Sequence, residues 1–220
     1  MMPLGDETRR LERFPIITSM LIAANALCFL AEMTQGEAFV LRWSVIPRDV
    51  TSGHHLETLL TAIFMHASWS HIIGNMIFLW AFGPEIEEAM TSLRYLLFYL
   101  FGGIVSMITQ IAADPAGTVP YLGASGAIAA VMGAFLVTYP RDRIRTILFF
   151  GFFFRTTFIP AALLIGFWFV TQLVNLGTVT DVKSGGVAYM AHVGGLIFGA
   201  LAARIFEVRA RNAGRRSYPS

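Results

Sequence analysis

Gly123-Ala124-Ser125-Gly126-Ala127-Ile128-Ala129-Ala130-Val131-Met132-Gly133-Ala134-Phe135-Leu136-Val137-Thr138-Tyr139 is an apolar stretch that stops abruptly at Pro140-Arg141-Asp142-Arg143. Read as a helix ending at that basic boundary, it puts Ser125 roughly 22 Å above the boundary, at 1.5 Å per residue, in a hydrocarbon layer of about 30 Å. The stretch is too short to cross alone. The segment before it, Asp114-Pro115-Ala116-Gly117-Thr118-Val119-Pro120, is loop-like. Non-helical backbone at membrane depth is tolerated only where protein buries it or where it lines a water-filled cavity. Water is therefore expected at Ser125.

The rest of the chain fits a membrane setting. It is 55% hydrophobic and 14% charged, with mean hydropathy +0.63. Six apolar spans are expected, over 15–33, 60–84, 94–112, 124–139, 157–177 and 187–206, which makes an all-α polytopic membrane protein with one compact bundle. Residues 1–14 and the basic tail 207–220 flank the bundle. The first apolar run follows Arg9, Arg10 and Arg13 but is longer than a signal-peptide core and ends in Ala31-Glu32-Met33 without a small-x-small cleavage pattern, so it reads as a retained span. If both termini are cytoplasmic, only Arg42, Arg48 and Lys183 of the sixteen basic residues lie outside, as the positive-inside rule favours. That asymmetry explains the basic tail without a nucleic acid partner. Cys28 is the single cysteine, so there is no intrachain disulfide and no thiolate-built metal site. The small six-span core suits a bacterial inner membrane.

Four polar residues fall in one layer. His192, in Ala191-His192-Val193-Gly194-Gly195, precedes Arg204 and Arg209 by a distance of about 18 to 25 Å, which sets it level with Ser125. His71 and Asn75, spaced i,i+4, share one helix face at roughly 15 to 21 Å. Each has a plain packing reading. Gly123, Gly126 and Gly133 could form a small-residue face, and His71 and Asn75 could be interhelical glue. An ionisable residue inside a span is nevertheless costly and marks function by default. Gly195 and Gly199, a Gly-x-x-x-Gly pair, fit close helix contact that would bring His192 against Ser125. A metal site on His66, His71 and His192 is disfavoured, because no His-Glu-x-x-His occurs and no acidic ligand stands beside His66.

The chemistry these groups could perform is acyl transfer. Ser125 would attack a carbonyl after passing its proton to His192. The nearby acids Asp114, Asp181, Glu85 and Glu207 sit near span ends, so a Ser-His dyad without a third carboxylate is expected, and no cofactor. The Ser125 backbone N–H, the Asn75 amide and the His71 ring could hold an oxyanion.

On these residues the chain resembles the rhomboid intramembrane serine proteases. The likeness rests on Phe64-Met65-His66-Ala67-Ser68-Trp69-Ser70-His71-Ile72-Ile73-Gly74-Asn75, on Gly123-Ala124-Ser125-Gly126, and on His192 with Gly195 and Gly199. Glu87, after Gly83-Pro84, also matches a family position. The resemblance implies a six-helix core with a short central fourth helix, a dyad of Ser125 and His192, and oxyanion contacts from His71 and Asn75. It also implies cleavage of membrane-protein substrates near the outer ends of their spans. His66 would be structural or cavity-lining. Two positions depart from the pattern: Glu57-Thr58 stands where the family often has Trp-Arg, and Ala129 where many members stack an aromatic ring on the catalytic histidine. The rival class is a catalytically inactive rhomboid-fold protein that binds membrane clients, though such relatives generally lack the serine or the histidine.

Overall fold

The computed structural model describes residues 1–6, 8, 11–150, 153–178 and 188–208. Arg9, Arg10, Lys183 and the tail from 209 onward, which entered the topology argument, lie outside them. The described chain is mostly helical. Three helices are long and apolar enough to cross a membrane: α1 (Ile16–Gln35), α6 (Ser92–Ala113) and α9 (Tyr189–Phe206). A fourth candidate is broken. Thr58–Phe64, which comprises α4 (Thr58–Thr61) and a 3₁₀ turn, meets α5 (Trp69–Met90) at a 91° bend. The span expected over 60–84 is therefore not one straight helix. Two shorter apolar helices complete the bundle, α7 (Ser125–Thr138) and α8 (Ala161–Thr178), the latter apolar over Ala161–Val174. Between α1 and α4, α2 (Glu37–Trp43) and α3 (Pro47–Thr51) form the loop at the other end of the bundle from Arg141.

The expectation of an all-α chain is corrected by a three-stranded antiparallel sheet, β1 (Met2–Asp6), β2 (Arg143–Phe150) and β3 (Phe153–Pro160), in the order β1-β2-β3. Hydropathy averaging absorbed 143–156 into a loop and 157–160 into the fifth span. The period-2 pattern was there to be read: Ile144 and Thr146 are buried while Arg143 and Arg145 between them are exposed.

The short helix α7 sits at the centre. Every residue from Gly126 to Phe135 is buried, which suits a helix apolar on all sides. Close contact with α9 requires glycine. A Cβ on Gly199 would collide with the Ala130 backbone carbonyl, one on Gly195 with that of Gly126, and one on Gly133 with that of Leu196. Backbone atoms cannot rotate away, so these positions set the distance between the two helices.

Helix α1 starts at Pro15 with no capping side chain of its own. The cap comes from α5. Glu87 accepts hydrogen bonds from the Ile17 and Thr18 backbone N–H groups at 2.9 and 2.8 Å, from the Thr18 hydroxyl at 2.9 Å and from Ser92 at 3.2 Å. A carboxylate at a helix N-terminus meets both the orphan donors and the positive end of the dipole. Glu87→Ala leaves those donors buried and unmatched. Thermal unfolding in detergent is expected to show a loss of about 2 to 4 kcal/mol, with Glu87→Gln intermediate.

At the Arg-rich end, β1 is held on β2 with Asp6 beside Asp142. Partial burial, reinforced by the Asp142 charge and opposed by hydrogen bonds from Thr8, pushes the Asp6 carboxyl up to about 6 from 3.8. The folded form thus holds its proton more tightly than the unfolded one. The contribution to β1 docking is fully present below pH 3.8 and lost as pH rises through about 6. Discounted for partial exposure, the loss is on the order of 1 kcal/mol. Amide exchange of residues 2–6 is expected to speed up several-fold between pH 5 and pH 7.5, after correction for the intrinsic rate, and Asp6→Asn should flatten that dependence.

Candidate functional site

Ser125 opens α7. The preceding residues are positioned by hydrogen bonds to the loop between α1 and α4: Val45 and Tyr121 exchange backbone N–H···O bonds at 2.9 and 2.7 Å, and the Arg48 N–H reaches the Gly117 carbonyl at 3.0 Å. Gly123 donates its N–H to the Ala62 carbonyl at 2.8 Å and has φ +130°, a conformation that side-chain-bearing residues rarely adopt. The chain therefore turns sharply from a pinned loop into the first turn of α7, where backbone N–H groups have no intrahelical acceptors.

Two other elements meet that turn. His192, on the first turns of α9 and only 6% exposed, places Nε2 2.7 Å from Ser125 Oγ. The His71 ring lies directly over Gly123: a Cβ there would be 2.8 Å from His71 Cε1 and 2.9 Å from Nε2, and 3.8 Å from Ser125 Oγ. His71 comes from the first turn of α5, capped by Ser68 Oγ, which accepts its backbone N–H at 3.2 Å. The sharp bend before α5 aims that turn at the site. All the layered polar residues expected from the sequence are thus close together, with Asn75 one turn further along α5.

Asn75 is engaged differently from the expectation. Its Nδ2 lies 2.9 Å from His66 Nε2, and both residues are buried. His66 also packs its ring edge-on against His71, centroids 5.1 Å apart. It therefore buttresses the pair from behind. One Asn75 N–H is used on His66, leaving the amide a second to donate. The break between the 3₁₀ turn and α5 leaves the His66 backbone N–H without a helical partner, and Glu32 of α1 supplies one through both carboxylate oxygens at 3.0 and 3.1 Å. Glu32 was passed over in the sequence because it lies at the end of the first apolar run.

The residue that sequence reasoning missed at the centre is Gln172. Its Oε1 lies 2.8 Å from His192 Nδ1. The amide's orientation is set by its other end, since Nε2 donates to the Trp168 carbonyl at 3.3 Å and to the Thr171 hydroxyl at 3.2 Å. Oε1 is therefore the atom facing the ring, and an oxygen acceptor selects the tautomer with hydrogen on Nδ1. That leaves the Nε2 lone pair pointing at Ser125 Oγ. The Trp168 ring, 5.4 Å from His192 between centroids, and Tyr189, edge-on at 6.4 Å, hold the imidazole from the sides. Together these contacts replace the aromatic ring that Ala129 does not provide. The available signal was a glutamine in the apolar fifth span, one turn after Trp168, with Thr171 and Asn175 as its polar neighbours in the sequence.

Glu57 and Thr58, the other departure, stand at the start of α4. Glu57 pairs with Arg42 at 2.9 Å, and the Arg42 guanidinium stacks 4.6 Å from the Trp43 ring centre. The Glu57 carboxyl is lowered by its local backbone hydrogen bond and by Arg42.

Comparison with known proteins gives a coherent picture. Residues 53–208 match the Rhomboid domain family. The chain is 33% identical over 196 residues to the rhomboid protease GluP of Bacillus subtilis, covering 86% of this chain and 34% of that protein. It is 30% identical over 210 residues to the mitochondrial RHOMBOID-like protein 12 of Arabidopsis thaliana, covering 87% and 59%. It is 31% identical over 132 residues to the mitochondrial presenilin-associated rhomboid-like protein of mouse, covering 58% and 34%. The chain spans between about a third and three fifths of the length of these curated relatives.

Proposed function

The chain belongs to the rhomboid family, and on that premise we propose that it is an intramembrane serine endopeptidase that cleaves peptide bonds in or near the transmembrane segments of other membrane proteins. The observation that carries the reading is the contact of His192 Nε2 with Ser125 Oγ at 2.7 Å, in a chain whose His192 Nδ1 is already committed to Gln172. In this reading Ser125 Oγ attacks the scissile carbonyl carbon while its proton moves to His192 Nε2. The imidazolium formed keeps its Nδ1–H on Gln172. The developing oxyanion is met by the Ser125 backbone N–H, the second Asn75 N–H and the His71 ring. Collapse breaks the C–N bond as Nε2 returns the proton to the leaving amine. Water then attacks the acyl-enzyme with His192 as base and regenerates the serine.

In this reading water reaches the half-buried Ser125 from the end of the bundle that carries the irregular segment before it. A transmembrane substrate would have to unwind to offer an extended carbonyl there, so helix-destabilising residues in its outer half should favour cleavage. We assign both termini, and the Arg-rich end of the bundle, to the cytoplasmic side of a bacterial inner membrane. Gly123 and Gly126 take a structural role at the turn, and Gly195 and Gly199 hold α9 against α7.

A substrate-independent test is labelling of the purified protein by a fluorophosphonate probe. The wild type is expected to react at Ser125 and the Ser125→Ala protein not at all. Equal labelling of both, or none in a folded wild type, would remove the assignment and favour a client-binding member of the family.

A further inference from the structure

The hairpin β2-β3 carries its side chains in two very different settings along its length. Near its base the inward face is buried, with Ile144 and Thr146 inaccessible and Ile159 packed on the core. The edge of β2 is covered there by β1, whose pairing runs only from Asp6 opposite Ile144 to Met2 opposite Ile147. Beyond Ile147 no strand among the described residues pairs with that edge of β2. That distal part is strongly apolar: Phe149 is 57% exposed, Phe153 80% and Phe154 73%, with Phe149 directly opposite Phe154. Further down the outward face Phe158 is 48% exposed. Phe149 and Phe154 pair across the outward face and Phe153 is exposed on the other face, and exposed rings on both faces at the free end of a hairpin are an interaction surface rather than a chance surface composition.

We propose that this hairpin is a leaflet anchor, with its aromatic tip immersed in the membrane surface at the Arg-rich end of the bundle and its arginines set against anionic headgroups. Two observations identify lipid as the occupant. One is continuity. β3 ends at Pro160 and α8 begins at Ala161, and α8 continues with an exposed stripe of Leu163, Phe167, Val170 and Val174, spaced as one helix face. The hairpin thus springs, at its base, directly from the end of an exposed apolar helix flank. The other is charge. Arg155 is exposed next to Phe154 at the free end, and Arg141 and Arg143 are exposed at the base of the hairpin, which is the pairing of apolar wedge and basic residues that binds an anionic interface. Strands of eight residues reach about 26 Å, enough to lie along the headgroup layer away from the bundle. The inference concerns the membrane domain and does not depend on the protease reading.

The test uses the full chain in a Cys28→Ser background, with a nitroxide on Phe154→Cys, a second on Phe153→Cys, and a reference on Ser52→Cys in the opposite loop. Each protein is placed at one copy per lipid nanodisc, in phosphatidylcholine with or without phosphatidylglycerol. The tip labels are expected to be at least fivefold less accessible to a water-soluble nickel chelate than the Ser52 label, and more accessible to oxygen. Adding Arg143→Gln and Arg155→Gln should reduce that protection in the phosphatidylglycerol discs. Tip labels as open to nickel as Ser52 would overturn the anchor. Protection confined to discs holding two copies would overturn it in favour of a contact between chains. Thermal unfolding of each labelled protein checks the fold, and either tip position suffices if the other does not assemble.

Discussion

Ser125→Ala and His192→Ala are each expected to lower the rate of cleavage of a reconstituted single-span substrate by at least about 10⁴, with unfolding temperatures close to wild type. The size follows from removing a whole reacting group: without Oγ no acyl-enzyme forms, and without the imidazole the hydroxyl stays protonated. The double variant should be no worse than either single one, because the two groups act as a unit. Neither change disturbs the backbone contacts by which α7 and α9 pack, which involve Gly195 and Gly199 rather than the reacting side chains. Cleavage at more than a few per cent of the wild-type rate by either protein, measured on gels with a quantified substrate, would be incompatible with the dyad.

The second large effect is expected at Gln172. Replacing it by Leu keeps the volume and removes the acceptor of the Nδ1–H, so the ring can adopt the other tautomer or rotate. A loss of 10- to 100-fold in kcat is expected, with KM little changed, in line with other groups that act by orienting a catalytic or ligating histidine. Gln172→Glu keeps an acceptor for Nδ1–H while losing the donor to the Trp168 carbonyl, and by stabilising the imidazolium it should move the acid limb of the pH-rate profile to higher pH. The sign follows because a carboxylate favours the charged ring, so His192 remains protonated, and inactive as a base, to higher pH. A mere packing defect would lower the rate without moving that limb. If Gln172→Leu leaves kcat intact, or Gln172→Glu leaves the profile in place, the orienting role fails.

The site was more legible in the sequence than its surroundings. Ser125, His192 and His71 could be placed in one layer because helix rise converts sequence distance from a basic boundary into depth, and the structure puts His192 in contact with Ser125 and His71 over the neighbouring Gly123. The same arithmetic has no purchase on lateral position. It could not say that Asn75 would reach His66, that Glu32 would close the gap in the bent span, or that Gln172 would face Nδ1. Those contacts depend on which helix neighbours which. Hydropathy also misled where a period of two was hidden in a run that averages as apolar: Leu148, Phe149, Phe153 and Phe154 look like the approach to a span and belong to a hairpin. The bend before α5 escaped for a related reason, since the apolar residues continue through it. Gly195 and Gly199 show the reverse case, where the spacing alone pointed to close helix contact and the geometry places the Gly126 and Ala130 carbonyls against them.

The cap on α1 also has a consequence for how the protein is made. The carboxylate that satisfies the first amides of α1 lies 70 residues downstream of Ile17. At a synthesis rate of about 5 to 20 residues per second, α1 leaves the ribosome about 4 to 14 seconds before Glu87 does. During that interval its starting turn must hydrogen-bond to water or headgroups at the membrane surface. The helix is therefore inserted before its beginning is finished, and α5, on arrival, completes the opening turn as it packs alongside. Order of assembly is built into this contact: α1 reaches its final depth only once α5 has arrived beside it.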